Sequence, residues 1–172
     1  GQLDGAVGDQ LAGADIDVGS YTGTGSTQTV SGLGFNPDLV WALPNSAQST
    51  RWESSLASNT FDFDTNDFGA AGFTGFTADG FTVDGSAPVN GVGTTNYYVA
   101  WNESAGYFKQ ATYTGNGVDY RNISGVGFAP ELVFGRQTSA SNFVNVKTAS
   151  TGASTDATGG FGNFGQTYPG YI

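Results

Sequence analysis

The feature that most constrains the fold is a glycine- and proline-framed motif that occurs twice. It reads Gly-x-Gly-Phe-x-Pro-acid-Leu-Val, first over residues 32–40 and again over residues 125–133, 93 positions later. Proline fixes its own φ and drives the preceding residue towards extended geometry, so each Leu-Val segment is predicted to begin a strand. The apolar run Leu39–Trp41 is typical of a strand buried on both faces, and Pro44 ends it because proline cannot donate to a ladder. The motif therefore predicts two related core strands and carries no chemistry by itself.

The repeat extends beyond this motif. The pattern Tyr-Thr-Gly-x-Gly occupies residues 21–25 and recurs at residues 113–117, 92 positions later, with one residue inserted before Phe128. Each occurrence is predicted to be a strand entering a hairpin turn, with return strands at residues 28–31 and 120–124. Further strands are predicted at residues 51–56, 72–76, 79–83, 96–101 and 143–147, with an acidic loop over 59–72 and a glycine-rich loop over 84–95. The later part has no equivalent of the strands at 79–83 and 96–101, so the repeat is incomplete.

Composition sets the fold class. The chain has 28 Gly among 172 residues, few helix-forming residues, and abundant Thr, Val, Phe and Tyr, which favours an all-β protein rich in turns. We predict a β-sandwich of jelly-roll type with irregular arms at both ends. The predicted organisation is an N-terminal arm over residues 1–17, one sandwich over residues 18–148, and a low-complexity aromatic tail over residues 149–172. The sandwich contains the first copy (residues 18–110) and the second copy (residues 111–148) of the repeat.

Charge and residue types exclude several functions. The net charge of −10 repels nucleic acid, so no nucleic-acid partner is expected. An acidic surface with few lysines suits a protein of a halophilic host, and a generically acidic extracellular protein is the alternative. The chain has no Cys and no His, so thiol catalysis and the commonest general base are missing. No apolar stretch is long enough to predict a membrane span.

Four sequence blocks together resemble a known family. They are residues 21–25, residues 32–41, the Asp-Gly-Phe-Thr-Val of residues 79–83, and Asn90 followed by the Tyr-Val-Ala-Trp of residues 98–101. In this order they are similar to an all-β domain repeated in the tail fibres and other structural proteins of tailed phages. The resemblance covers residues 18–103, and residues 111–134 in part. It implies an all-β fold and a place on the virion surface, and it carries over no catalytic residue.

Two kinds of candidate site stand out among the polar residues. Asp62, Asp64, Asn66 and Asp67 alternate as the oxygen ligands of a calcium loop do, although the sixth-position Gly and twelfth-position Glu of such loops are absent; a solvated acidic loop is the alternative. Calcium is accordingly the one possible cofactor. Asn102 and Asn122 each begin an Asn-x-Ser triplet that matches a glycosylation acceptor, a pattern that also arises by chance.

The remaining candidates concern binding and assembly. No catalytic residues are predicted, because the acids lie mostly in turns, and Asp38 and Glu131 occupy equivalent positions that suggest a repeated structural role. Trp52 and Trp101 would be the platforms of a lectin-like site for host-surface glycan, or else core residues. The tail aromatics could anchor a subunit contact or pack on their own sandwich; they are Phe161, Phe164, Tyr168 and Tyr171.

These features together predict a non-enzymatic virion structural protein, located on the virion surface as a capsid decoration, spike, tail or fibre component. Its partners would be itself, most favourably as a trimer, and other virion proteins. The alternative is a glycan-binding module for host attachment.

Overall fold

The computed structural model describes residues 15–63, 68–118, 121–138 and 144–149, and the backbone of two short strands at residues 159–160 and 163–167. Within these residues the structure is nearly all β, which confirms the all-β prediction. No helix in this part of the chain is long and apolar enough to cross a membrane. The elements in chain order are β1 (Ile16–Thr22), β2 (Gln28–Ser31), β3 (Leu39–Pro44), β4 (Arg51–Ser54), β5 (Ala57–Asp62), β6 (Phe68–Ala70), β7 (Phe73–Thr77), β8 (Gly80–Val83), α1 (Ala87–Asn90), β9 (Thr95–Trp101), β10 (Leu132–Gly135), β11 (Asn145–Thr148), β12 (Gly159–Gly160) and β13 (Asn163–Thr167).

The strands form three antiparallel sheets. A six-stranded sheet has the order β1-β9-β3-β4-β5-β6, a three-stranded sheet the order β2-β8-β7, and a four-stranded sheet the order β10-β11-β12-β13. β3 lies inside the six-stranded sheet, where Leu39 is opposite Trp101 of β9 on one side and Ser54 of β4 on the other. β10 is the first strand of the four-stranded sheet and pairs with β11. The two motif strands therefore hold different positions in their sheets.

The six-stranded and three-stranded sheets face each other in a sandwich-like arrangement, and the first core lies between them. β1, β3 and β9 contribute to it from one sheet, and β2, β7 and β8 from the other. Phe81 of β8 is fully buried at its centre, with ring centroids 5.9 Å from Tyr21 and 5.2 Å from Tyr98. The first core consists of Tyr21, Val30, Leu33, Phe35, Val40, Ala42, Phe73, Phe81, Val83, Val89, Tyr98 and Ala100.

The second core covers the opposite face of the six-stranded sheet and joins the two copies. Leu39 and Trp41 point into it, whereas Val40 and Ala42 point into the first core. This alternation confirms that the motif strand β3 is buried on both faces. Trp41 and Phe134, which are equivalent in the two motifs, meet with their ring centroids 5.6 Å apart. The buried residues of the second core are Leu39, Trp52, Phe61, Phe63 and Val144, with Trp41, Ala57, Trp101, Phe108, Phe134 and Val146 partly buried around them.

Two local predictions for the first copy are wrong. β1 and β2 do not form a hairpin, since β1 pairs with β9 and β2 pairs with β8 in the other sheet. The turn at residues 23–25 therefore carries the chain from one sheet to the other. The predicted acidic loop over residues 59–72 instead contains β5 and β6, and β5 pairs with β4. Phe61 fills the second core from β5, and this packing outweighs the weak strand preference of the flanking Asn and Asp residues.

The strands predicted at the start of the second copy are also absent. Residues 111–113 and 121–124 carry no strand, although their counterparts in the first copy form β1 and β2. β1 and β2 are held by hydrogen bonds to β9 and β8, and the second copy has no described strand at the equivalent places. Without those partners the same sequence pattern has nowhere to place its ladder hydrogen bonds. The tail predicted from residue 149 onwards contains β12 and β13.

Candidate functional site

The structure describes one of the four proposed calcium ligands. Asp62 lies buried in β5, where its carboxylate forms an ion pair with Arg51 at 3.0 Å. The other three, Asp64, Asn66 and Asp67, lie outside the described residues. In the part of the chain that is described, no group of three or more acidic, His or Cys side chains could hold a metal ion. The carboxylate of Asp62 is thus already engaged inside the sheet.

The proposed glycosylation sites differ in accessibility. Asn122 is exposed in the second copy, and Asn102 is partly buried directly after β9, where its backbone N–H donates to the carbonyl oxygen of Asp15 at 2.8 Å. Of the tail aromatics, Phe164 falls within β13, and the other three (Phe161, Tyr168 and Tyr171) lie outside the described residues. Trp52 and Trp101 both pack in the second core, so neither provides an open platform for a sugar.

A shallow cleft of about 500 Å³ lies at one side of the sandwich, and Glu53 is the one acid among the described residues that line it. Burial raises the pKa of the Glu53 carboxyl, and the hydroxyl of Thr60, which donates to it at 3.1 Å, offsets part of the rise. The Thr60 hydroxyl in turn accepts the backbone N–H of Phe73 at 2.8 Å. Glycoside hydrolysis needs two carboxyl groups across one cleft, and this lining supplies one. The arrangement is that of a hydrogen-bonded group linking β4, β5 and β7.

Asp38 ties the first copy to the segment that leads into the second. Its carboxylate accepts the backbone N–H of Glu103 and the hydroxyl of Ser55, both at 2.9 Å. The Asp38 carbonyl also accepts the Ser55 N–H at 2.8 Å, and the carbonyl of Glu131 accepts the N–H of Ala149 at the same distance. These matched bonds show that the backbone is arranged alike at the two positions, and they do not involve the carboxyl groups.

Asp79 holds the glycine loop that precedes the motif strand β3. One carboxylate oxygen accepts the N–H of Gly32 at 3.0 Å and the other accepts the N–H of Gly34 at 2.7 Å. Both glycines have positive φ, 98° and 80°, which aims their amides at the same carboxylate. The next residue, Gly80, passes so close to the Val30 carbonyl that a Cβ would overlap it. The Asp-Gly pair of the third sequence block therefore links the start of β8 to the loop before β3.

Asn90 is a second structural anchor whose role sequence reasoning missed. It is fully buried at the end of α1, and its amide nitrogen donates to the carbonyls of Ser26 at 2.5 Å and Asp84 at 2.6 Å. Its side-chain oxygen accepts the N–H of Thr24 at 2.7 Å. The position of Asn90 in the fourth sequence block was a signal for this role, because a polar residue among glycines often forms hydrogen bonds with backbone groups of loops.

The glycine turns and the motif strand of the first copy recur in the second. Gly25 and Gly117 both have φ of 71°, Gly32 and Gly125 have 98° and 91°, and Gly34 and Gly127 have 80° and 88°. The β3–β4 pair also recurs as the β10–β11 pair, with Leu39 opposite Ser54 and Leu132 opposite Thr148. The repeat predicted from sequence is thus present in the local geometry of both copies.

Equivalent side chains of the two copies differ in how deeply they are buried. Leu39 is 3% exposed and its equivalent Leu132 is 56% exposed, which corrects the prediction that both would be buried. Tyr21 is 9% exposed and its equivalent Tyr113 is 59% exposed. Tyr21 packs against Phe81 of β8 and Tyr98 of β9, and Leu39 packs in the second core with Trp101 of β9 and Trp52 of β4. No described strand takes the place of β8 or β9 in the second copy.

The same contrast appears at neighbouring positions. Val30 is buried, whereas its equivalent Ile123 is exposed, and Phe35 is buried, whereas Phe128 is partly buried. The second copy therefore presents to solvent the side chains that form a core in the first. These exposed positions are the candidate functional site.

The fold and this site define an all-β protein built from one complete copy of a small sandwich and one incomplete copy. The chain belongs to the family described as a domain of unknown function, DUF7483, which it matches over residues 14–106. The matched range contains β1 to β9 and hence the strands of the complete copy. Comparison with curated proteins gives no match, and comparison with solved structures gives none.

Proposed function

We propose that this protein is a non-enzymatic structural component of a virus particle, exposed on the particle as a capsid decoration, a spike, or part of a tail or fibre. The observation that carries the proposal is the incomplete second copy, which exposes core-type side chains on a chain with a net charge of −10. Exposed apolar groups in an otherwise polar surface are typical of protein–protein contacts. The resemblance of the four sequence blocks to structural domains of tailed phages supports a virion as the setting.

The proposed partners are further copies of this chain and other virion proteins, with a trimer as the favoured oligomer. Segments 1–17 and 149–172 are proposed to add subunit contacts. The acidic composition supports a halophilic host, because high salt screens the repulsion between acidic subunits. The alternative of a lectin-like module has no comparable support, since Trp52 and Trp101 pack in the second core.

A jelly-roll arrangement of the strands is part of the same proposal. Two observations support it: the six-stranded and three-stranded sheets face each other across the first core, and the chain crosses between them after β1. An experimentally determined structure with a different strand connectivity would remove this part and leave the proposed role unaffected.

The test is electron microscopy of purified particles treated with a gold-labelled antibody raised against this chain. Gold at a regular position on intact particles is the expected result. An antibody against an internal particle protein serves as the control for broken particles. Particles that contain no detectable amount of the chain, by labelling and by mass spectrometry, would overturn the proposal.

A further inference from the structure

The first copy shows which elements cover the exposed positions of the second. Tyr21 lies in β1, which pairs with β9, and Val30 lies in β2, which pairs with β8. Leu39 lies opposite Trp101 of β9. Tyr21 and Val30 are buried in the first core together with Phe81 of β8 and Tyr98 of β9. Leu39 is buried in the second core, where Trp101 of β9 and Trp52 of β4 pack around it. In the second copy the equivalents Tyr113, Ile123 and Leu132 are exposed together, as expected if the same two strands were taken away.

Backbone groups that are hydrogen-bonded in the first copy have equivalents in the second copy that lack a partner among the described residues. Among the strands that the structure describes, β10 pairs with β11 only, whereas its equivalent β3 pairs on both sides. The amides of Gly125 and Gly127 have no hydrogen-bond partner within the described residues. Their equivalents, the amides of Gly32 and Gly34, are both held by Asp79. Among the described residues, no carboxylate takes the place in the second copy that Asp79 has in the first.

We propose that the second copy is an acceptor for a pair of strands of the β8–β9 type, donated by a partner polypeptide. The donated segment begins with Asp-Gly-Phe-x-Val and ends with a strand resembling Tyr-Tyr-Val-Ala-Trp. Its Asp carboxylate accepts the amides of Gly125 and Gly127, and its first strand pairs with residues 121–124. Its second strand pairs antiparallel with β10, in the register that places Trp101 opposite Leu39 in the first copy. The partner would thus complete the second copy by β-strand addition.

A second copy of residues 1–172 does not meet this requirement. Each chain contains two acceptors and one β8–β9 pair, and that pair is already used within the first copy. If identical chains exchanged their β8–β9 segments, every segment given to a second copy would leave a first copy without one, so the number of unfilled acceptors would not change. Direct pairing of two β10 edges would cover the edge, but it would leave Ile123 and the amides of Gly125 and Gly127 open, because these lie outside β10. The donor is therefore a polypeptide with a β8–β9 segment to spare.

The test uses a fluorescent synthetic peptide with the sequence of residues 79–101, added to the full chain. Saturable binding is expected, read by fluorescence anisotropy, and a scrambled peptide should not bind. Changing the peptide's Asp79→Ala should weaken binding about tenfold or more, because it removes a carboxylate that accepts two hydrogen bonds. In the chain, Leu132→Asp should abolish binding, and the matched change Val92→Asp, at an exposed loop position of the first copy, should leave it unchanged. Both variants should retain the melting temperature of the parent chain, which excludes a folding defect.

Hydrogen exchange locates the bound peptide. Slower exchange at residues 121–135 on binding is the expected result. No binding, or slower exchange confined to residues 16–101 through displacement of the chain's own β8–β9, would overturn the proposal. It would also be overturned if the chain alone formed dimers that protect β10 and exclude the peptide. The inference rests on the internal repeat and not on the virion role, so failure of peptide binding and absence from particles are separate results.

Discussion

The two motif leucines provide a direct test of the structure, because the same substitution is made at equivalent sequence positions. Leu39→Ala removes a side chain that is almost fully buried in the second core beside Trp101 and Trp52. A buried Leu→Ala change costs about 2–5 kcal/mol through lost burial and the cavity left behind. Leu132→Ala removes a largely exposed side chain and should cost about 0.5 kcal/mol or less. The difference between the variants is therefore expected to exceed 1.5 kcal/mol by this estimate.

The assay is urea unfolding of both variants and the parent chain, with thermal melting as a second measurement. For a chain of this size each kcal/mol lowers the melting temperature by about 2–4 °C, so Leu39→Ala should lower it by about 4–20 °C. Leu132→Ala should stay within about 2 °C of the parent. Equal losses for the two variants would refute the reasoning, since Leu132 would then be as well packed as Leu39.

Three further predictions follow from individual residues and from charge. Burial raises the pKa of the Glu53 carboxyl in the folded state, so the protonated carboxyl favours folding at acid pH and this contribution is lost as the pH rises through the folded pKa. The melting temperature of Glu53→Gln relative to the parent should therefore rise as the pH is raised above about 4, the ordinary pKa of a glutamate, and a difference that is constant with pH would contradict this. Asn90→Ala should cost about 2–4 kcal/mol in urea unfolding by leaving three backbone groups in two loops unsatisfied, whereas the exposed Asn116→Ala should cost about 0.5 kcal/mol or less. With a net charge of −10 the parent should melt higher in molar salt than in dilute buffer, and a flat response would argue against a halophilic origin.

Sequence reasoning predicted the elements that depend on local signals. The Phe-x-Pro-acid-Leu-Val motif marked β3 and β10, and the Asp-Gly turn marked the start of β8. β5 and β6 were missed because the Asp- and Asn-rich sequence there has a weak strand preference. They form because β5 pairs with β4 and β6, and because Phe61 packs in the second core. The hydrogen bonds that Asp79 accepts were missed for a similar reason. Its partners, Gly32 and Gly34, lie in a segment far away in sequence.

The incomplete copy also shows why a sequence pattern alone could not decide its structure. Gly117, Gly125 and Gly127 adopt nearly the same φ as Gly25, Gly32 and Gly34, so turn geometry is set locally by glycine. A strand requires a partner for its backbone hydrogen bonds and its side chains. β10 forms because β11 pairs with it, whereas the described residues equivalent to β1 and β2 form no strand. The described part of the second copy thus lacks partner strands for these segments, although its glycine turns are formed. A donor segment would therefore meet a surface whose loops are preorganised, and the entropy cost of ordering would fall mainly on residues 111–118 and 121–124 and on the donor itself.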